Sequence, residues 1–141
     1  MDNVLIVVDD LDAVLSFFVE LGMELEGQAP IAGAWVDRVN AIDGVRVDIA
    51  MMRVPNGNGA LELTKFQHPT VVRPQPEHPL GNTLGLRSIM FVVDDVDASL
   101  ADLRSHGAEL IGTIEEYADS YRLGYVRGPA GIIVALAEDI S

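Results

Sequence analysis

Two stretches of this chain are copies of one another. Residues 7–25 read VVDDLDAVLSFFVELGMEL and residues 92–110 read VVDDVDASLADLRSHGAEL, a constant offset of 85. Val7, Val8, Asp9, Asp10, Asp12, Ala13, Leu15, Gly22, Glu24 and Leu25 are identical in the two. The preceding Val4, Leu5 and Ile6 pair in the same way with Ile89, Met90 and Phe91. A duplication of this length leaves few folds open, because the chain must be two similar modules rather than one irregular core. They are assigned to residues 1–66 and 86–141. The connector 67–85 carries Pro69, Pro74, Pro76 and Pro79, four of the seven prolines, and is expected to be extended. At 141 residues the two modules together form one domain, 1–141.

Each module has the same internal order. A short apolar run, Val4–Val8 or Ile89–Val93, has the length and composition of a buried strand. The following aspartates offer an N-cap and negative charge to a helix start. Leu11, Val14, Leu15 and Phe18 then fall at i, i+3, i+4 and i+7, and Val96, Leu100 and Leu103 repeat the stripe. The spacing predicts helices over 11–21 and 96–106, ended at Gly22 and Gly107. Three further extended segments follow in each module. In the first they are 23–28 with 35–39, then 44–53, then 60–66; in the second they are 109–116, 120–128 and 131–138. Asn56-Gly57-Asn58-Gly59 and Gly128-Pro129-Ala130-Gly131 are the turns. Neither turn precedes a helix or carries a phosphate-loop lysine, so neither is a nucleotide cradle.

Composition removes several classes of chemistry. The chain has no cysteine, which excludes disulfides, thiolate nucleophiles and sulfur-ligated metals. Nine basic against 22 acidic residues give a net charge of −13, which opposes nucleic-acid backbones and anionic membranes. No apolar run approaches the ~20 residues of a membrane span, and Met1-Asp2-Asn3 lacks a cationic leader. A cytoplasmic protein without nucleic-acid or membrane partners is expected.

A βαβββ unit occurring twice resembles the vicinal oxygen chelate superfamily, which includes glyoxalase I, bleomycin-resistance proteins and extradiol dioxygenases. Val7–Leu25, Gly59–Phe66 (GALELTKF), Leu86–Leu110 and Gly124–Glu138 carry the resemblance across nearly the whole chain. It implies an α+β fold, two tandem modules forming a curved mixed sheet around a cavity, with helices outside. In enzymes of this family two histidines and two glutamates from four strands hold one divalent metal. Those positions fall here on Asn3, Ser88, Glu62 and Ala135. Only Glu62 matches, and one carboxylate with no imidazole is a poor transition-metal site. His68, His78 and His106 do not replace the missing ligands: the first two precede connector prolines, and the third lies near a helix end. A site with no metal and no other cofactor is expected.

Strand alternation then names the face that the lost ligands would share. It carries Asn3, Leu5 and Val7; Ser88, Met90 and Val92; Glu62, Thr64 and Phe66; and Ile133, Ala135 and Ala137. Asn3, Leu5, Glu62, Thr64, Ser88, Met90 and Ala135 are candidate ligand-binding residues. Tyr121 and Arg122 join them if their loop closes over a ligand, and an ordinary loop is the competing reading. The resemblance and the missing ligands together imply a metal-independent small-molecule binding protein of the glyoxalase/bleomycin-resistance type. Its ligand is expected to be apolar or cationic, and the protein a homodimer, as antibiotic-binding members are. The alternative is an isomerase, epimerase or lyase with Glu62 as general base or residual metal ligand.

Overall fold

The first apolar run forms β1 (Val4–Val8), and Asp10 caps the helix that follows, α1 (Leu11–Glu20). The Asp10 carboxylate accepts a hydrogen bond from the Ala13 amide at 3.1 Å. Eighty-five residues on, β5 (Ile89–Val92) leads to Asp95, whose carboxylate accepts from the Ala98 amide at 3.0 Å and starts α3 (Val96–Arg104). Both helices end as the repeat predicts: Gly22 and Gly107 lie at φ +97° and +82°, a region open to glycine at little cost.

The remaining strands of the first module are β2 (Glu24–Ala32), β3 (Arg46–Arg53) and β4 (Ala60–His68). Those of the second are β6 (Glu109–Tyr117), β7 (Tyr121–Arg127) and β8 (Ile133–Asp139). Each module builds its own four-stranded mixed sheet, β1-β4-β3-β2 and β5-β8-β7-β6. In each, the first strand pairs parallel to the last and the other pairings are antiparallel. The fold is therefore α+β, with two tandem βαβββ modules and an open sheet in each. The computed structural model describes residues 1–141, in two compact units, Met1–Arg73 and Pro74–Ser141.

Each long helix packs on one face of its own sheet. In the first unit α1 buries Leu11, Val14, Phe17 and Phe18 against Met52, Leu61 and Leu63, with the two phenylalanine rings edge to face at 5.3 Å. In the second, Val96, Leu100 and Leu103 are buried with Val126, Val134 and Leu136. Fully burying side chains of this size is worth about 1.5–3 kcal/mol each.

The expected extended segment 35–39 is instead a helix, α2 (Ala34–Asn40), and β2 runs on through Pro30 to Ala32. An edge strand tolerates that proline because no ladder bond on its outer side is lost. The helix is held by non-local contacts. Val36 is buried with Val45 and Val47, against Ile31, Ile49 and Phe66. The Asp37 carboxylate accepts from the Gly44 and Val45 amides, both at 2.8 Å, and these bonds hold its pKa below the ordinary aspartate value. The second module has no counterpart of this helix.

Candidate functional site

The side of each sheet turned away from its long helix is the face on which sequence alternation places the candidate site. In the first unit the register runs Leu5 opposite Glu62, Glu62 opposite Met51, and Met51 opposite Gly27. In the second it runs Met90 opposite Ala135, Ala135 opposite Tyr125, and Tyr125 opposite Ile111. Glu62 and Ala135 thus occupy equivalent places in the two sheets, as the carry-over of ligand positions requires.

In the first unit Leu5 is 51% exposed and Glu62 half-buried. The Glu62 carboxylate makes no hydrogen bond within the protein. Asn3 does not satisfy it, since the Asn3 amide donates to Asp2 at 2.9 Å. Thr64, two residues along the same face, is 3% exposed, and its hydroxyl has no partner within the protein. Phe66 belongs to the small core under α2, so that part of the face is filled by the chain itself.

In the second unit Met90 is 57% exposed while Ala135 is 1% exposed. Beside them lies a cavity of about 280 Å³ lined by Gly81, Arg87, Ser88, Ile111, Tyr125 and Ile133. Ser88 is thus a cavity residue. Arg87 enters from the segment before β5, and its Nε is buried without a hydrogen-bond partner in the protein. A donor left in that condition costs about 1–3 kcal/mol. Arg127, opposite Ile133 in the register, donates from its guanidinium to the Pro79 carbonyl at 2.9 Å and the Gly131 carbonyl at 3.2 Å.

Tyr121 and Arg122 are not brought to this cavity. Both lie in β7 rather than in a loop, and adjacent residues of a strand face opposite ways. Tyr121 shares the Tyr125 face but stands four residues away, roughly 13 Å along the strand. Arg122 turns to the helix side, where its guanidinium donates to Asp97 at 2.9 Å and to Glu138 at 3.3 Å. Glu138 also accepts from the Val96 amide at 2.9 Å, which ties the start of α3 to β8. Arg122 therefore carries a structural ion-pair network, which raises its pKa through the Asp97 hydrogen bond.

Sequence reasoning missed Arg87, Ile111 and Tyr125. Tyr125 was reachable, since it lies opposite Ala135 once the register of β7 is known. Arg87 adjoins Ser88, but nothing in the linear chain says that its side chain enters a cavity.

The duplicated βαβββ topology agrees with the family comparison. The model of the Glyoxalase/Bleomycin resistance protein/Dioxygenase superfamily matches residues 1–136. The chain belongs to this superfamily. A glyoxalase family protein from Bacillus cereus is 43% identical and superposes with a TM-score of 0.94 over 100% of this chain and 94% of that one. The trypanothione-dependent glyoxalase I of Leishmania major shares the fold at 20% identity and a TM-score of 0.65, covering 98% of this chain and 85% of its own. The fosfomycin resistance protein FosX of Listeria monocytogenes does so at 12% identity and 0.62, covering 99% and 92%. No curated protein matches the chain.

The superfamily includes metal enzymes, and the donors at the corresponding positions here do not fit that metal. Ala135 presents a buried methyl group, Asn3 offers only an amide oxygen, and Ser88 only a hydroxyl. No three His, Asp or Glu side chains gather anywhere in the structure in a way that could hold a metal ion. Nor is any helix long and apolar enough to cross a membrane.

Proposed function

We propose that this superfamily member is a metal-independent binding protein for a small molecule with an apolar body, held on the open sheet face of the second unit. The observation that supports this most is the cavity beside Met90 and Ala135. It combines apolar walls, Ile111 and Ile133, with a few polar groups, Arg87, Ser88 and Tyr125. That mixture is typical of small-molecule sites. The loss of three of the four family metal ligands supports metal independence through the chemistry of the donors. A homodimer belongs to the same reading, supported by Leu5, Val7, Met90 and Val92, which stand exposed on apolar sheet faces.

The test is a ligand screen by thermal shift on protein first treated with a chelator. A specific ligand at 100 times its Kd is expected to add about 2.7 kcal/mol of stability, with or without chelation. A stoichiometric metal that survives mild chelation, or binding that disappears with chelation and returns with metal, would overturn the proposal.

A second reading rests on Glu62. Its carboxylate lies half-buried on the open face of the first unit without a protein partner, so it is free to accept a proton. An isomerase, epimerase or lyase would use it as general base. Against that reading, neither Asn3 nor Thr64 orients the carboxylate by a hydrogen bond.

A further inference from the structure

We infer that the second-unit cavity receives the anionic head group of its ligand, with Arg87 as the receiving cation and Ser88 and Tyr125 as supporting donors. This rests on the binding reading above and adds the chemical class of the ligand, a small organic anion with an apolar body.

The charge of the whole chain points the other way. At −13, this protein attracts cations at long range. The cavity reverses that sign locally, because none of its six lining residues is acidic and one is arginine. Arg87 takes part in no ion pair or hydrogen bond within the protein, and its Nε is already withdrawn from solvent. Arg127, on the same face, spends donors on the carbonyls of Pro79 and Gly131, stands opposite Glu109 and does not line the cavity, which leaves Arg87 as its one cation. Three of the other arginines are ion-paired: Arg53 with Glu26, Arg73 with Asp9, and Arg122 with Asp97 and Glu138. An unpaired guanidinium with a buried Nε, at a cavity with no acidic lining in so acidic a protein, marks a place for an anion.

Geometry narrows the class further. A guanidinium presents planar, forked donors that match the two oxygens of a carboxylate, and such charge-assisted bonds are short and strong. The Ser88 and Tyr125 hydroxyls can donate to the same head group. Ile111 and Ile133 offer only apolar surface to the rest of the molecule. At about 280 Å³ the cavity suits a ring or short chain, not a nucleotide or a peptide.

The experiment is a protein-observed NMR titration of the full chain at low salt with three probes of one shape: phenylacetate, phenylacetamide and phenethylamine. Phenylacetate is expected to shift the amides of Ser88, Ile111, Tyr125 and Ile133 saturably and to bind at least tenfold tighter than the amide. Arg87→Met should weaken phenylacetate by tenfold or more and leave phenylacetamide within twofold, with Arg87→Lys in between. Arg104→Met changes the net charge equally at the far end of α3 and should change neither. If Arg87→Met does not fold, the comparison of the three probes on the parent protein decides alone. Phenylacetamide or phenethylamine binding at the same residues as tightly as phenylacetate would overturn the anion assignment and leave the binding reading standing. No saturable shift from any of the three would overturn both.

Discussion

The two modules share a sequence repeat, a topology and a helix cap to within 0.1 Å, at 3.1 and 3.0 Å, yet they treat their open faces differently. The first unit inserts α2 and buries Val36, Val45 and Val47 against Ile31, Ile49 and Phe66, which closes part of the face with its own side chains. It keeps Glu62, the one family ligand position still acidic. The second unit has no inserted helix, replaces the acid by Ala135, and keeps a cavity bounded by Arg87, Ser88 and Tyr125. Duplication supplies two similar platforms, and an inserted helix and a different residue at the matching strand position make their open faces differ. Function in such a scaffold follows the site, not the fold.

The largest effect that would break this comparison comes from making the faces alike. Ala135→Glu places a long acid at a position only 1% exposed, where the larger side chain has to displace packed neighbours. It is expected to lower unfolding free energy by about 1–3 kcal/mol, as overpacking a filled interior does. Urea unfolding measures this. A variant as stable as the parent would mean that the second face is as open to a charge as the first, and the distinction drawn between them would fall.

A smaller effect is expected from Val36→Ala, which trims the small core under α2. The loss should be about 1–2 kcal/mol, from the buried methyl groups removed. Hydrogen exchange should show faster opening of 34–45, while amides of the second unit keep their protection. Protection lost equally in both units would show that α2 supports more of the molecule than its own sheet.

The smallest effect on stability is expected from Glu62→Gln. Because the carboxylate has no partner to lose, the change should stay within about 0.5 kcal/mol. Its value lies in function. Under the binding proposal the affinity of a screened ligand is retained, or falls without any change in fold if the ligand touches Glu62. Loss of turnover with ligand still bound would instead establish the general-base reading and make the first unit the catalytic one.

Much of this was legible in the linear chain. The offset of 85 gives two modules, the Asp-led stripe at i, i+3, i+4 and i+7 gives α1 and α3, and period-two alternation assigns Leu5, Glu62, Met90 and Ala135 to a common kind of face. These are local regularities, carried by neighbours in sequence, and the backbone geometry of helix and strand fixes their period. The absence of cysteine and the residues at 3, 62, 88 and 135 were likewise enough to question the family metal without coordinates. What only the tertiary structure decided depends on partners far apart in the chain. A seven-residue helix is too short to persist on local propensity, so α2 exists because Val36 finds Val45 and Val47 and because Asp37 caps the amides of Gly44 and Val45. Arg122 faces Asp97 and Glu138 rather than a ligand because the β7–β8 register sets it there. The Arg87 cavity draws its walls from the connector, β6, β7 and β8, and only chain closure brings those four segments to one place.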